Sequence, residues 1–340
     1  MIWMSVMRKW FIPIAIAAAS MPVASETGGI AGPVAGFVFD RRAAVLRPIE
    51  GLPGAARLGA PIPMPFAVGL AAVRGDYALV GPAAGGAAVL ARRFRASAPE
   101  IVDLPGAVEP SAMSIAASGA VAILFSASAH RVQFVDGLPD APRALDPVDT
   151  ELIGDLAAIA LDAAGTGALL AGPDGQIYRL RKDSPSLVPI ARLNGVSSIG
   201  FVPGRDSALA ASRETGDVLL LDGLDGALSI RSIGGAAAGI ASARAVLALD
   251  GRTAGVIAGD GRLAAIDFET GAAEWIALAA DAEAFVPVDR SLFALNRAGE
   301  GPLVLLDSNG RSAWFVPPIR PALRPRGHEK DLIRAEDRPD

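Results

Sequence analysis

Side chains that commonly perform catalysis or bind metals are scarce in this sequence. Its 340 residues include no cysteine and two histidines, His130 and His328. Without cysteine there is no disulfide, no thiol nucleophile and no lipidated cysteine to anchor a bacterial lipoprotein. One histidine outside the C-terminal segment cannot supply a multi-histidine metal site. Gly-x-Ser-x-Gly, phosphate-loop and EF-hand patterns are also absent, so we predict no catalytic residue, no metal site and no cofactor.

Charged side chains in short turns between apolar runs are the remaining candidates for ligand binding. Such loops gather on one surface of a repeat fold and often carry function. Both signs of charge occur among them, which disfavours a ligand of a single sign such as a polyphosphate. The alternative interpretation is that they are ordinary solvated loop residues. The candidate residues are His130, Arg131, Asp174, Arg213, Asp260 and Arg297, with Glu214 and Glu300 beside them.

Four aspartates occupy equivalent positions, each at the end of an apolar run and before a turn. An aspartate there accepts hydrogen bonds from the amides of the following turn. We therefore predict a structural role for these residues rather than paired catalytic carboxylates. They are Asp136, Asp222, Asp267 and Asp307.

The elements that position these residues form an internal repeat. Segment 254–275 contains three short apolar runs separated by turns rich in glycine and aspartate. Six copies of this pattern follow one another at a period of about 43 residues, the spacing of a propeller blade. The apolar runs do not alternate with polar residues, which indicates strands covered on both faces. We therefore predict an all-β fold, a β-propeller of four-stranded antiparallel blades.

The number of blades depends on the N-terminal part of the pattern. Residues 26–65 have the length of one more blade, in which 37–40 resemble a third strand and 44–49 serve as a fourth, without a visible first strand. We predict seven blades with an incomplete first blade. Six blades with an N-terminal hairpin laid over the ring is the alternative. An extended β-solenoid is disfavoured because its repeats are usually shorter.

Both ends of the chain differ from the repeat. Residues 1–25 combine Arg8 and Lys9 with an apolar stretch and small residues before Glu26, which is typical of a secretory signal peptide. An uncleaved N-terminal anchor is the alternative. Residues 26–318 form the predicted propeller domain, and 319–340 form a polar tail, disordered or loosely docked. We expect a periplasmic or secreted protein with no membrane span after signal cleavage.

Two repeats resemble a known group of propellers, the second being a weaker copy in which 307–310 are followed by Trp314. Segment 266–275 (IDFETGAAEW) is similar to the repeat of quinoprotein-type propellers, in which an aspartate, a turn and a glycine lead to a tryptophan. That repeat also occurs in non-enzymatic propellers that act as periplasmic assembly scaffolds. The resemblance therefore implies the fold and an exported location more than a quinone cofactor. Within the repeat we interpret Trp275 as a local packing residue.

The functional prediction combines the fold, the ends of the chain and the charge. A net charge of −5 gives no electrostatic argument for a nucleic-acid partner. We predict an exported module that binds or scaffolds an envelope or extracellular protein, or a small ligand. The alternative is an enzyme, a hydrolase or quinone-dependent oxidoreductase, acting at the mouth of the central channel. A further alternative is that the propeller forms one surface of a larger assembly that carries the activity elsewhere.

Overall fold

The fold is a ring of antiparallel β-sheets. A computed structural model describes residues 32–318, except 53, 97 and 290, so the predicted signal peptide (1–25) and polar tail (319–340) lie outside the described residues. The described residues form seven sheets, each built from strands that are consecutive in sequence. The prediction of a seven-bladed β-propeller with an incomplete first blade is confirmed.

The strands are numbered in chain order and the blades from the N-terminal side. Blade 1 contains β1 Val34–Asp40, β2 Val45–Glu50 and β3 Arg57–Leu58. Blade 2 contains β4 Val68–Arg74, β5 Tyr77–Pro82, β6 Val89–Arg92 and β7 Glu100–Asp103. Blade 3 contains β8 Ala112–Ile115, β9 Ala122–Ser126, β10 Arg131–Asp136 and a divided outer strand, β11 Arg143–Ala144 and β12 Val148–Asp149. Blade 4 contains β13 Ala158–Leu161, β14 Gly167–Ala171, β15 Gln176–Arg181 and β16 Val188–Arg192.

The remaining blades repeat the four-stranded pattern. Blade 5 contains β17 Val196–Phe201, β18 Ser207–Ser212, β19 Val218–Asp222 and β20 Ser229–Gly234. Blade 6 contains β21 Ala243–Ala248, β22 Thr253–Ala258, β23 Leu263–Asp267 and β24 Ala273–Ile276. Blade 7 contains β25 Val286–Pro287, β26 Leu292–Ala294, β27 Leu303–Asp307 and β28 Ser312–Val316. The one helical segment in the described part is a 3₁₀ turn, Ala236–Ala238, and no helix there is long and apolar enough to cross a membrane.

The second strands are the most deeply buried elements. Strands β9, β14, β18 and β22 are buried at every residue. A strand can be buried at successive residues only when both faces of its sheet are covered, and in a propeller the two neighbouring blades cover them. This explains why the apolar runs in the sequence are continuous.

The ring closes by packing between its first and last blades. Among the described residues there are seven apolar clusters, and each joins two neighbouring blades. In one of them Val38 and Ile49 of blade 1 pack with Val288 and Leu305 of blade 7. In another, Phe37 of blade 1 packs with residues of blade 2. The first blade therefore occupies a full place in the ring, and the alternative of six blades with an overlying hairpin is wrong.

The recurrent aspartates have the local role that the sequence predicted, with differences among them. An Oδ1 atom of Asp267 accepts hydrogen bonds from the amides of Glu269 and Thr270, both at 2.9 Å. Asp307 accepts one from the amide of Asn309 at 3.1 Å. Asp222 instead accepts a hydrogen bond from the Ser207 hydroxyl across the sheet. The predicted turn role therefore fits Asp267 and Asp307 better than Asp222.

Strand direction defines two faces of the ring. Successive strands within a blade are antiparallel, so each first strand begins on the face where the second-to-third loop lies. The connections between blades start and end on that same face, which we call the loop face. The first-to-second and third-to-fourth loops lie on the opposite face.

Strand direction also corrects the assignment of blade 1. The β1–β2 loop lies on the loop face, because the Ala44 carbonyl accepts a 2.8 Å hydrogen bond from the amide of Val68 at the start of β4. Asp40, at the end of β1, forms a parallel bridge with Ala298 in the second-to-third loop of blade 7. Strand β1 is therefore a second strand, β2 a third and β3 a fourth. The sequence assignment of 37–40 to a third strand and 44–49 to a fourth was wrong, because each is one strand earlier in the blade. The predicted lack of a first strand holds for the described residues.

Candidate functional site

Five of the six candidate residues lie in second-to-third loops, and Arg131 is the first residue of β10 directly after such a loop, so all six lie on the loop face. His130 and Arg131 belong to blade 3, Asp174 to blade 4 and Arg213 to blade 5. The carbonyl of His130 accepts a 2.8 Å hydrogen bond from the amide of Thr150. Asp174 accepts one from the amide of Gln176 at 3.1 Å. The side chains of these four candidates are exposed to solvent.

The other two candidates make ion pairs within or beside their own loops. Asp260, in blade 6, pairs with Arg262 through Oδ2 and Nε at 2.6 Å. Arg297, in blade 7, pairs with Glu283 at 3.5 Å. Over the described part of the chain, no hydrogen bond or ion pair joins any two of the six candidates. They are spread over five blades, and their role in binding stays a prediction.

A cleft of about 490 Å³ opens at blade 6, beside Asp260. Its walls come from the β22–β23 loop, the end of β24 and the connection that leads from blade 6 to blade 7, so it belongs to the loop face. The lining residues are Gly261, Arg262, Trp275, Ile276, Ala277, Leu278, Ala279, Ala280 and Asp281.

A stacked pair of side chains forms one wall of this cleft. The guanidinium carbon of Arg262 lies 3.9 Å from the ring centroid of Trp275, a cation–π arrangement. The hydrogen bond from Arg262 to the carboxylate, aided by the Arg262 amide, lowers the pKa of Asp260. Asp260, Arg262 and Trp275 therefore form a connected row in which the charge of the guanidinium is balanced. The indole is 36% exposed, so the wall offers an aromatic surface to solvent.

Two members of this row were not recognised in the sequence as parts of a site. Trp275 was interpreted as a packing residue, but it lies on β24, an outer strand whose edge no blade covers. The pairing of Arg262 with Asp260 could have been predicted from the sequence, because the two residues are two positions apart and the short turn brings their side chains together. Its position over an indole thirteen residues later depends on the pairing of Ala264 with Trp275, which requires the three-dimensional register.

A second, smaller cleft lies where blades 1, 2 and 3 meet on the loop face. Its volume is about 300 Å³, and most of its lining residues are glycine, alanine, serine or proline, with Arg41 and Glu109 beside them. The described residues contain no group of three or more histidine, aspartate or glutamate side chains placed to hold a metal ion.

Comparison with known proteins places the chain by its fold. No protein-family model matches it, and no curated protein matches it in sequence. One of the solved structures that it resembles is a chain of a crystal structure of a nidogen/laminin complex. The two share 11% sequence identity with a TM-score of 0.50, over 69% of this chain and 91% of that chain. Likeness at this identity shows a shared architecture alone, so the class established for this chain is the seven-bladed β-propeller.

Proposed function

We propose that the chain is an exported binding module that uses the cleft at blade 6 to contact another protein. The observation that carries this proposal is the exposed Trp275 with Arg262 stacked on it, at the edge of a cleft on the loop face. Tryptophan and arginine are the residue types most enriched where a few side chains dominate a protein interface. Both are held in place before a partner arrives, which reduces the entropy lost on binding.

The charge of the cleft limits the chemistry of its partner. Arg262 is already paired with Asp260, so an anionic ligand would compete with a carboxylate 2.6 Å away. The remaining wall consists mostly of small and aliphatic residues between 276 and 280. An uncharged, partly apolar segment of a protein suits this surface, and a small ligand with a flat apolar ring is the second occupant.

Export rests on the sequence of residues 1–25. A basic segment, an apolar stretch of signal-peptide length and a small-residue cleavage site support it. The test is the N-terminal sequence of the protein recovered from each cell fraction. Glu26 as the first residue, in the envelope or medium, is the expected result. Retention of residues 1–25 in the membrane fraction would favour the anchor, and their retention in the cytoplasm would overturn export.

Binding is tested with the tryptophans of segment 26–340, Trp275 and Trp314. The Trp314→Phe variant leaves Trp275 as the single fluorescent tryptophan of that segment. The emission of Trp275 should change saturably when a candidate partner is titrated. Excess unlabelled peptide from that partner should reverse the change by competition. Short peptides and small aromatic or sugar ligands form separate titrations, which distinguish the two occupants.

The matched control is another exposed aromatic residue on an outer strand. Phe315 is 52% exposed and does not line the cleft at blade 6. In isothermal titration calorimetry, which needs no tryptophan signal, Trp275→Ala should weaken binding at least ~10-fold, the effect of a side chain worth ~1.4 kcal/mol, and Phe315→Ala should leave it unchanged. Equal affinity of the wild type and Trp275→Ala would overturn the assignment of the cleft.

A further inference from the structure

The cleft where blades 1, 2 and 3 meet presents one charge of each sign. Arg41 lines it from the β1–β2 loop, and Glu109 lines it from the connection between blades 2 and 3. Both residues are exposed to solvent. Among the described residues, neither forms an ion pair with the other or with a third residue. Two opposite charges that share a cleft without pairing are available to a ligand that carries both.

The carboxylate of Glu109 lies at the wall of this cleft. A Cβ built on Gly85, in the β5–β6 loop, would lie 2.8 Å from its Oε1 atom, so the side chain lies over that glycine. The backbone two residues further on is fixed to blade 3. The amide of Ser111 donates to the Phe125 carbonyl at 2.7 Å, and the Ser111 hydroxyl accepts a 3.0 Å hydrogen bond from the Ala127 amide. The segment that carries Glu109 is therefore ordered without a ligand.

The loop that carries Arg41 is fixed from blade 1. Asp40, directly before it, is 3% exposed and accepts a 2.8 Å hydrogen bond from Nε of Arg47. The next residue, Arg42, lies toward blade 7, where its Cβ is 3.4 Å from a Cβ built on Gly299. The two consecutive arginines therefore face different blades, and of the two only Arg41 lines the cleft.

The cleft also offers a backbone donor. The β5–β6 loop contributes Gly85 and Gly86 to its wall, and within the part of the chain that the structure describes the amide of Gly86 donates no hydrogen bond. In the equivalent loop of blade 6, the amides of Gly261 and Arg262 both donate hydrogen bonds within their own turn. A free amide at a glycine, where no side chain blocks the approach, can bind a carboxylate.

From these contacts we propose that the cleft binds a small zwitterion with an α-carboxylate and an α-ammonium group, such as a free amino acid. The carboxylate pairs with the guanidinium of Arg41 and accepts a hydrogen bond from the Gly86 amide, and the ammonium group pairs with Glu109. Arginine matches the planar geometry of a carboxylate. A purely anionic ligand would face Glu109 and a purely cationic one would face Arg41, so each would meet a like charge.

The size and remaining lining of the cleft agree with a single amino acid. Its volume of about 300 Å³ lies at the lower end of the ~300–1,000 Å³ found for small-molecule sites. Leu70, Pro82 and Pro110 contribute apolar atoms to the wall, which suits a short aliphatic side chain. This site is separate from the cleft at blade 6, and its ligand is of a different class from the protein partner proposed there.

The first test compares amino acids with analogues that lack one charge, by isothermal titration calorimetry on the full chain. L-Alanine and L-leucine should give saturable binding. L-Leucinamide lacks the carboxylate and N-acetyl-L-leucine lacks the ammonium group, so each should bind at least ~5-fold more weakly than L-leucine, the loss expected for one exposed charge pair. Absence of saturable binding of both amino acids up to their solubility limits would overturn the proposal. Equal affinity for N-acetyl-L-leucine would overturn it in favour of a simple carboxylate ligand.

Two variants assign the charges to the groups of the ligand. Arg41→Gln should weaken L-leucine binding at least ~5-fold without weakening that of L-leucinamide, which has no carboxylate. Glu109→Gln should weaken L-leucine binding similarly without weakening that of N-acetyl-L-leucine. The matched control is Arg42→Gln, at an exposed neighbouring arginine outside the cleft, which should leave the affinity for L-leucine unchanged. All three positions are exposed, so Tm should stay within ~2 °C of the wild type.

A further variant distinguishes the two clefts. Trp275→Ala should bind L-leucine with wild-type affinity, because Trp275 lines only the cleft at blade 6. Loss of L-leucine binding in Trp275→Ala would place the amino acid at blade 6 and overturn the proposal. Wild-type affinity in both Arg41→Gln and Glu109→Gln, or an equal loss in Arg42→Gln, would overturn the assignment of these residues.

Discussion

Substitution of Gly36 by alanine tests whether blade 1 packs directly on blade 7. A methyl group on Gly36 would overlap Val288 Cγ1 and lie 3.0 Å from the Val288 carbonyl oxygen. Overpacking of this kind typically costs ~1–3 kcal/mol. We expect Gly36→Ala to lower the free energy of unfolding by about 2 kcal/mol. At ~2–4 °C per kcal/mol, Tm should fall by roughly 4–8 °C in scanning calorimetry.

A double variant identifies the source of this destabilisation. Val288→Ala removes two methyl groups from a fully buried side chain and should itself cost ~1.6 kcal/mol at ~0.8 kcal/mol per group. Independent effects would sum to ~3.6 kcal/mol. The truncated side chain removes the overlap with Cγ1, whereas the φ of 157° at Gly36 and the contact with the Val288 carbonyl oxygen remain. We therefore expect a loss of ~2–3 kcal/mol in Gly36→Ala/Val288→Ala, a coupling of ~1 kcal/mol.

The control is a glycine in blade 7 with open space around it. No heavy atom lies within 4 Å of a Cβ built on Gly301, and Gly301→Ala should change the free energy of unfolding by less than ~0.5 kcal/mol. A Gly36→Ala variant as stable as this control would show that blade 1 does not pack directly on blade 7 at this position. Full additivity with Val288→Ala would show that the loss comes from the backbone at Gly36 rather than from the overlap with Cγ1.

Three further predictions concern burial and charge in other blades. Burial raises the pKa of Tyr77 to about 12, so its contribution to stability is complete below the ordinary tyrosine pKa of ~10 and is lost as the pH rises through the raised value. A spectrophotometric titration should show a late phenolate step that Tyr77→Phe abolishes. A late step of equal amplitude in the wild type and the variant, or none in the wild type, would contradict this. A neighbouring guanidinium lowers the pKa of Asp260, so Trp275 fluorescence in the single-tryptophan variant should change only below pH ~4 and Asp260→Asn should remove that change. Leu209 is fully buried between blades 5 and 6, so Leu209→Ala should lower the free energy of unfolding by ~2–5 kcal/mol. The side chain of Val188 is 51% exposed, so Val188→Ala should lower it by less than ~1 kcal/mol in thermal unfolding.

Much of the fold could be predicted because a blade is a local unit. The continuous burial of β18 and β22 follows from stacking on both faces, and it leaves a direct signal in the apolar runs. Asp267 and Thr270 make a turn hydrogen bond within four residues of each other, so the turn can be predicted from the local sequence alone. Element type and repeat number depend on such short-range features.

The direction of the strands in blade 1 could not be predicted from local sequence features. Asp40 ends an apolar run and accepts a turn hydrogen bond from the amide of Ala43 at 3.1 Å, as the aspartates after third strands do. The difference is the contact of Asp40 with Ala298, more than 250 residues away in sequence. A local motif cannot distinguish a second strand from a third when only a distant neighbour fixes its direction.

The cleft was missed for a related reason. Trp275 has the sequence pattern of a packing residue, and its exposure depends on which part of β24 the neighbouring blade covers. The six candidate residues could be placed on one face, because the antiparallel order of the strands alone decides the face. The diameter of the ring decides whether the six side chains come close to one another, and a single sequence does not predict that diameter.

The proposed binding of a partner protein at blade 6 of the loop face can be tested by crosslinking. It is tested most directly by a photoreactive amino acid placed in living cells at Ala279, an exposed residue that lines the cleft. The same probe at Leu52, 64% exposed in a third-to-fourth loop on the opposite face, is the control. We predict one dominant crosslinked protein from position 279, absent from position 52 and lost when Trp275→Ala is added. Equal products from both positions, or a product from position 279 that survives Trp275→Ala, would show that the cleft at blade 6 does not bind the partner.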